Sequence, residues 1–213
     1  MESRTRKIYS ETNGNVALRV IKGHFATSHS HINYFVDMTT LKSRQAEAAA
    51  AAEILARKYE TTTYVDTIVC MDGCEVIGAY LAQSLTNAGI MSLNMHKTIY
   101  VVTPESRADG QLIFRDNMQF MIQGKHVILL TANATTGQTV KRALECIQYY
   151  GGKIEGISAI FSAVSSKENV EVNSIFGPKD LEDYESYEVS KCPQCKARIK
   201  VDAIVNSYGY SKI

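Results

Sequence analysis

Strands and helices alternate between residues 64 and 164, and this alternation constrains the fold more than any other feature of the sequence. Four short runs rich in β-branched and apolar residues predict strands, at 64–70, 97–103, 126–132 and 154–164. Apolar residues at helical spacing predict a helix over 75–89 and a turn followed by a helix over 135–152. We therefore predict an α/β fold with a mainly parallel central sheet, right-handed crossovers and flanking helices.

The chain before this alternation predicts a strand, a loop and a second strand. Apolar runs at 16–21 and 32–37 flank a glycine and a polar cluster of Thr, Ser and His. The alanine-rich segment that follows contains strong helix formers, so one helix is predicted over 40–59. Thr39 or Thr40 is the expected cap of this helix.

Three parts of the chain are predicted from these patterns. Residues 1–38 form a strand–loop–strand that contributes to a small hood, residues 39–178 form the core, and residues 179–213 form a C-terminal flap of edge strands with a Cys-Pro-Gln-Cys turn. Within the core, the polar stretch 104–117 predicts a long exposed loop, which ordered domains usually keep for function.

The composition excludes several classes of function. The chain has 213 residues, with 23 Lys and Arg against 22 Asp and Glu, and its net charge is +1. Such a balance provides no basic field for holding nucleic acid. No apolar stretch is long enough to span a bilayer, and the polar N-terminus lacks the apolar centre of a signal peptide. We therefore expect a cytoplasmic protein with no nucleic-acid or membrane partner.

The turn after the strand at 126–132 is the strongest candidate for a ligand site. Small residues at 135–139 directly precede a helix, where free backbone N–H groups and the positive end of the helix dipole face the turn. With threonine hydroxyls beside them, these groups can hold a phosphate, although an ordinary threonine-capped helix has the same spacing. The turn is neither a P-loop nor a dinucleotide fingerprint, because both glycine patterns are absent.

This segment resembles the phosphoribosyl-pyrophosphate loop of the type I phosphoribosyltransferases, in which two acidic residues and two variable residues precede Thr-Thr-Gly-x-Thr. The phosphate-binding half of that motif is complete, as Thr135, Thr136, Gly137, Gln138 and Thr139. The acidic half is missing, because Thr131 and Ala132 occupy its positions. With Asn133, they are the residues that the resemblance places beside the ribose.

Two further segments are similar to orotate phosphoribosyltransferases. Residues 27–37 resemble the substrate-side strand–loop–strand, and the resemblance implies four base-side residues, Ser28, His29, Tyr34 and Phe35. Residues 71–82 resemble the loop that approaches pyrophosphate, which would be formed here by Asp72 and Gly73.

The segment 104–110 is in register with the mobile catalytic loop of the same family. Glu105 and Gly110 match the family pattern, Arg107 replaces a lysine, and Asp109 replaces a histidine. The resemblance therefore implies catalytic roles for Arg107 and Glu105. Arginine keeps the positive charge of lysine and changes its reach. In the family this loop extends to the partner's active site, which implies a homodimer.

The resemblance implies an enzyme that transfers ribose 5-phosphate from phosphoribosyl pyrophosphate to a pyrimidine-like base, with orotate as the leading candidate. Pyrophosphate is released, and Mg²⁺ accompanies the phosphoribosyl substrate. The alternative is a regulatory or binding module of the same fold without turnover. The missing acidic pair favours that alternative, since Thr131 and Ala132 cannot place negative charge near a developing oxocarbenium-like centre.

Histidines and cysteines raise a separate hypothesis of a metal site. His29 and His31 would point the same way on a strand, but no further ligand is adjacent to them or to His24, so we favour surface or substrate-loop histidines over a zinc centre. Cys192 and Cys195 form half of a zinc or redox motif, and a tight turn with reduced thiols explains them equally well. A two-fold dimer would bring two such pairs together.

Overall fold

The computed structural model describes residues 2–95, 97–135 and 137–213, which form two sheets, a short hairpin and several helices. The strands of the described residues are β1 (Thr5–Tyr9), β2 (Ala17–Ala26), β3 (His31–Asp37), β4 (Thr67–Cys70), β5 (Tyr100–Val102), β6 (Glu105–Ser106), β7 (Leu112–Ile113), β8 (His126–Ala134), β9 (Lys153–Ser162), β10 (Ser166–Lys167), β11 (Val170–Phe176), β12 (Ser186–Tyr187), β13 (Ala203–Asn206) and β14 (Gly209–Lys212). The α-helices are α1 (Thr39–Ser43), α2 (Gln45–Ala56), α3 (Glu75–Asn87), α4 (Asp116–Gln119), α5 (Gln138–Tyr149) and α6 (Pro193–Lys196).

The core sheet has the strand order β10-β11-β9-β8-β4-β5. Every pair is parallel except β10 with β11, and the predicted α/β fold with a mainly parallel sheet is therefore confirmed. Side chains alternate between the two faces of β8: Ile128 and Leu130 join the core cluster that contains α2 and α3, whereas Val127 and Leu129 join the cluster that contains α5. Burial on both faces explains the continuous apolar run of this strand.

The second sheet forms the hood and combines both ends of the chain. Its order is β12-β3-β2-β13-β14, and β1 pairs with β2. Strands β2 and β3 are antiparallel, whereas β13 runs parallel to β2. One face of this sheet has a small apolar cluster of its own, made by Ile21, Phe25, Ile32, Phe35, Ala203 and Val205. A small hood from residues 15–37 and the C-terminal segment agrees with the sequence prediction.

The single helix predicted over 40–59 is wrong, because the structure has two helices there. Arg44 lies between α1 and α2 with an extended backbone (φ −91°, ψ 122°). Neither threonine caps α1: the N-cap residue is Met38, and the Asp37 carboxylate accepts a hydrogen bond from the backbone N–H of Thr39 at 2.9 Å. The carboxylate of Asp37 therefore accepts one of the backbone N–H groups that have no partner at the start of a helix.

Two segments of the chain contain short elements that were not predicted. The polar N-terminal segment forms β1, which pairs with β2 at the edge of the hood. The stretch 104–117, predicted as a loop, contains the β6–β7 hairpin and the start of α4. None of the described helices combines the length and the apolar character needed to cross a membrane.

Candidate active site

A cavity of about 260 Å³ lies between the carboxyl ends of the core strands and the hood. Strand β8, the turn after β4 and the first turn of α5 contribute residues from the core, and β3, the loop before it and the β13–β14 turn contribute residues from the hood. Ligands of parallel α/β sheets bind at this end of the strands. The cavity therefore has the position expected of an active site.

The turn between β8 and α5 forms one wall of the cavity. Thr135, Gln138 and Thr139 line it, whereas Thr136 lies outside the described residues. Gly137 is the N-cap residue of α5 and has a left-handed backbone with φ 70°, a conformation that favours glycine. The first turn of α5 directs its free N–H groups and the positive end of its dipole toward this wall, as an anion requires.

A lysine that the sequence analysis did not select lies over this turn. A β-carbon built on Gly137 would be 3.2 Å from Cδ and 3.4 Å from Nζ of Lys167, a residue of β10. Its ammonium group adds positive charge at the start of α5, in the place where the helix dipole already favours an anion.

Thr131 binds an acidic residue from the neighbouring strand connection. Its side chain is buried, and Oγ1 donates a hydrogen bond to Oδ2 of Asp72 at 2.6 Å. Asp72 and Gly73 both have left-handed backbones, with φ of 58° and 75°, and this turn places Asp72 at the cavity wall. One carboxylate is therefore present near the position where the acidic pair of the motif is missing.

Asn133 has a buried oxygen without a partner. The side-chain Oδ1 accepts no hydrogen bond within the described part of the chain, although Asn133 lines the cavity together with Ala132. Such an atom costs about 1–3 kcal/mol when it stays unsatisfied. A ligand that donates a hydrogen bond at this place would remove the cost.

Lys42 joins three parts of the cavity wall and was not selected from the sequence. Its side chain in α1 is buried, and Nζ donates hydrogen bonds to the backbone carbonyls of Asp72 at 2.5 Å and Ser207 at 2.7 Å. It thereby connects the turn after β4 with the β13–β14 turn of the hood. Because a buried ammonium group is stable only when its donors are satisfied, these carbonyls hold the C-terminal segment in place.

The hood brings together the four base-side residues that the resemblance implied. All four line the cavity: Ser28, His29, Tyr34 and Phe35. The loop before β3 is ordered by Thr27, whose Oγ1 accepts the backbone N–H groups of His29 at 3.2 Å and Ser30 at 2.9 Å. The Phe35 ring packs edge-on against Tyr210 of β14, at 5.6 Å between centroids. Their contact with a base stays a prediction.

Comparison with known proteins agrees with this architecture. No family model matches the chain. The orotate phosphoribosyltransferase of Sulfurimonas denitrificans is 24% identical over 206 residues, which cover 90% of this chain and 93% of that protein. The structure of the Mycobacterium tuberculosis orotate phosphoribosyltransferase superposes with a TM-score of 0.53 at 16% identity, covering 78% of this chain and 93% of that one. The fold is that of the type I phosphoribosyltransferases.

The similar proteins include phosphoribosyltransferases named for different bases. The adenine phosphoribosyltransferase of Thermoanaerobacter pseudethanolicus has a TM-score of 0.51 at 15% identity and covers 83% of this chain and 96% of that one. A structure of the mycobacterial enzyme with phosphoribosyl pyrophosphate matches at 14% identity with a TM-score of 0.50, over 68% of this chain and 82% of that one. The resemblance to the type I family seen in the sequence is thus confirmed.

The segment 104–110, which resembles the mobile loop of the phosphoribosyltransferases, contributes no residue to the lining of the cavity. Glu105 in β6 accepts two hydrogen bonds from the guanidinium of Arg115, each of 2.7 Å, and this pairing holds the pKa of Glu105 below its usual value. Arg107 is exposed at the hairpin, and among the described residues neither it nor Glu105 lines the cavity. Their catalytic roles stay predictions.

The histidines and cysteines are arranged differently from the sequence expectation. His29 is exposed in the loop before β3, as expected of a substrate-loop histidine. His24 and His31 are buried, so the expectation of surface or substrate-loop histidines is wrong for these two. Instead His24 of β2 faces His31, and both face Cys192 and Cys195 in a four-residue cluster beside the hood. The sequence contained both halves, a His pair around a polar loop and a Cys-x-x-Cys turn, but not their proximity.

Proposed function

We propose that the protein is a phosphoribosyltransferase that transfers ribose 5-phosphate from phosphoribosyl pyrophosphate to a pyrimidine-like base, with orotate as the leading candidate. The observation that carries the proposal is one cavity that joins the start of α5, the Asp72–Thr131 pair and the base-side residues of the hood. The similarity to the Sulfurimonas enzyme supports the orotate class, and the adenine-specific neighbour supports the transfer reaction alone.

The 5-phosphate is assigned to the turn between β8 and α5. Backbone N–H groups of the first helical turn, the hydroxyls of Thr135 and Thr139 and the charge of Lys167 meet there. This contact lies remote from the reacting carbon, and its binding energy orients the ribose for the reaction. The mycobacterial relative solved with phosphoribosyl pyrophosphate supports this class of ligand.

The ribose is assigned to Asn133 and Asp72. A ribose hydroxyl is a hydrogen-bond donor, and it would satisfy the buried Oδ1 of Asn133. The Asp72 carboxylate supplies negative charge near the ring, where an oxocarbenium-like cation develops as pyrophosphate leaves. Because Thr131 holds this carboxylate by a hydrogen bond, Asp72 partly replaces the charge of the missing acidic pair.

Magnesium is proposed to bind with the phosphoribosyl substrate. Mg²⁺ is usually held by one or two carboxylates together with substrate phosphates. Asp37 and Asp72 place two carboxylates at the cavity wall, so the oxygen donors present fit this ion. When bound, Mg²⁺ offsets the negative charge of the leaving pyrophosphate.

A homodimer is proposed to complete the site. The β6–β7 hairpin carries Arg107 at an exposed position and does not reach the cavity of its own chain. In a dimer, the guanidinium of Arg107 would enter the partner's cavity and neutralise pyrophosphate there. Light scattering should give the mass of a dimer at micromolar concentration, and a strict monomer would contradict this part of the proposal.

The alternative function is a binding module that holds a phosphoribosyl compound without turnover. The absence of the acidic pair at Thr131 and Ala132 favours it. One experiment separates the two: phosphoribosyl pyrophosphate and Mg²⁺ are supplied with orotate, uracil or adenine, pyrophosphate release is measured, and binding is followed by calorimetry. Turnover with orotate supports the proposal, turnover with adenine alone corrects the base, and binding without release favours the module.

A further inference from the structure

We propose that His24, His31, Cys192 and Cys195 bind one Zn²⁺ ion, which fastens the C-terminal segment to the hood. One ligand atom from each residue lies within 4.8 Å of the other three. Two imidazoles and two thiolates are a ligand set that zinc takes in closed structural sites. The proposal is independent of the reaction proposed above, because the cluster lies outside the cavity lining.

The distances within the cluster agree with a tetrahedral site. Nε2 of His24 lies 2.9 Å from Nδ1 of His31, 3.5 Å from Sγ of Cys192 and 3.6 Å from Sγ of Cys195. Sγ of Cys195 lies 3.2 Å from Nδ1 of His31. Ordinary zinc bond lengths give tetrahedral edges of about 3.3 Å between nitrogens and about 3.6 Å between nitrogen and sulfur. The observed separations differ from these edges by less than about 0.5 Å.

A backbone hydrogen bond fixes the tautomer of His24. Its Nδ1 lies 2.9 Å from the carbonyl oxygen of Ile199, and a carbonyl can only accept, so Nδ1 carries the proton. The lone pair of Nε2 is then available as a ligand and faces His31 and the two thiols. Zinc-ligating histidines typically have this arrangement, in which the second nitrogen donates to a carbonyl or carboxylate.

Hydrogen bonds alone do not explain the crowding around this lone pair. Three heteroatoms, from His31, Cys192 and Cys195, converge on Nε2 of His24. A ring nitrogen with one lone pair accepts a hydrogen bond well from one donor. His24 and Cys192 are buried, at 1% and 0% exposure, so bulk solvent does not reach them. A cation at the centre satisfies all four groups at once.

Contacts of the surrounding chain hold the four proposed ligands in position. Asp202 accepts the backbone N–H of His24 at 2.9 Å and pairs with Arg4, whose Nη2 lies 2.7 Å from Oδ1. Cys192 immediately precedes α6, and the short helix turns the chain so that Cys195 faces the same point as Cys192. The histidines lie on the paired strands β2 and β3, and the cysteines lie at the start of α6 and within it, so regular secondary structure positions both ligand pairs.

The position of the cluster links the metal to the cavity. His24 and His31 lie at the two sides of the loop that carries Ser28 and His29 into the cavity. The cysteines precede β13, whose turn to β14 also lines the cavity. One Zn²⁺ would therefore hold two walls of the cavity together without contacting the substrate.

Metal analysis of the whole chain tests the site. The protein is purified without chelator, Zn²⁺ is added, excess metal is removed, and zinc is measured by elemental mass spectrometry. We expect about one zinc per chain, and less than about 0.1 per chain in Cys195→Ser and His31→Asn. Two matched controls, Cys146→Ser and His126→Gln, change the same residue types outside the cluster and should retain zinc. Wild-type protein without zinc, or unchanged zinc in both cluster variants, would overturn the proposal.

Cobalt substitution provides a test that needs no variant. Co²⁺ bound by two thiolates and two imidazoles in tetrahedral geometry has intense visible bands and sulfur charge-transfer bands. We expect both, and we expect thiol titration to find Cys192 and Cys195 reduced after the metal is removed. A disulfide between them in freshly purified protein, or octahedral Co²⁺ spectra, would contradict the metal site and favour a redox pair.

Hydrogen exchange tests the fastening role. Removal of the metal with a chelator should increase exchange in the loop 27–30 and in β13 at least tenfold, while β8 stays protected. Equal exchange with and without zinc would show that the ion does not hold the hood.

Discussion

The core sheet and the hood are stabilised in different ways. The core comes from one continuous part of the chain, and β8 is buried between α2 and α3 on one face and α5 on the other. The hood joins both chain ends through a small apolar cluster and through polar links such as Arg4–Asp202 and Lys42–Ser207. The core therefore depends on apolar burial. The hood shares this burial through Leu18, Val20 and Tyr34, which belong to the same core cluster as Ile128, whereas its C-terminal strands are attached by the small cluster and a few specific long-range contacts. The cavity needs both regions.

The largest expected effect comes from a core substitution. Ile128 of β8 is fully buried, so Ile128→Ala should lower the free energy of unfolding by about 2–5 kcal/mol. The matched hood variant Val205→Ala should weaken ligand binding and leave the main denaturation transition nearly unchanged. Urea denaturation followed by circular dichroism measures both. An equal loss of stability in the two variants would mean that hood and core unfold as one unit.

The turn between β8 and α5 allows the proposed phosphate site to be tested with two glycine variants that have the same backbone strain. Gly137→Val forces a β-branched residue into φ 70° and against Lys167, so affinity for phosphoribosyl pyrophosphate should fall by at least about a hundredfold. Gly124→Val is the matched control, because Gly124 has φ 71° and a β-carbon placed there would meet no atom within 4 Å. Calorimetry should show normal affinity in the control. Normal affinity in Gly137→Val would contradict the assigned phosphate site.

Restoring negative charge on β8 tests the missing acidic pair. Ala132 lines the cavity, and Ala132→Asp should raise turnover by up to about a hundredfold, since one well-placed charge stabilises a transition state by about 3 kcal/mol. Ala132→Asn has similar size without charge and should give no rise. A folded Ala132→Asp that binds the substrate without faster pyrophosphate release would favour the binding module.

An aspartate at Thr131 should raise turnover less than an aspartate at Ala132. Oγ1 of Thr131 donates to Asp72, so Thr131→Asp would place two carboxylates in contact and would raise the pKa of one of them. We expect less stable protein and no gain in turnover, as measured by thermal unfolding and the same assay. A gain equal to that of Ala132→Asp would show that Asp72 moves freely.

The smallest effect is expected at the link between the chain ends. The hydrogen bond from Arg4 holds the pKa of Asp202 below its usual value, so the stabilisation is present above the unfolded pKa of about 4 and is lost as the pH falls. Asp202→Asn should therefore cost about 1 kcal/mol or less at pH 7. Thermal unfolding of both proteins should give a difference that shrinks between about pH 5 and pH 2. A constant difference would argue against the ion pair.

The sequence predicted the parts of this structure that are encoded locally. Strand β8 and the turn into α5 follow from adjacent residues, an apolar run and a glycine-containing turn, and both are in the structure. The break at Arg44 was missed because helix propensity is continuous across it, whereas the structure has an extended backbone at this residue. Propensity carries no information on tertiary packing.

The links across the hood could not be predicted in the same way. Cys192 and His24 are separated by 168 residues, and neither the Cys-x-x-Cys turn nor the histidine pair indicates its partner. Lys42 and Lys167 resembled ordinary surface lysines, since nothing in their neighbours signals burial or proximity to the α5 turn. These residues were found only when the fold brought distant segments together.

The pairing of β13 with β2 also bears on synthesis of the protein. The backbone N–H of His24 donates to the carboxylate of Asp202, which lies 178 residues later in the chain. Strand β2 therefore leaves the ribosome long before its parallel neighbour β13 is synthesised. Segments fold as they emerge, and every strand of the core sheet is complete before β13 is made. During that interval the free edge of β2 is open to wrong pairing with other chains. Translation that stops before Ala203 would leave the cavity without the wall formed by Val205, Asn206, Ser207 and Gly209.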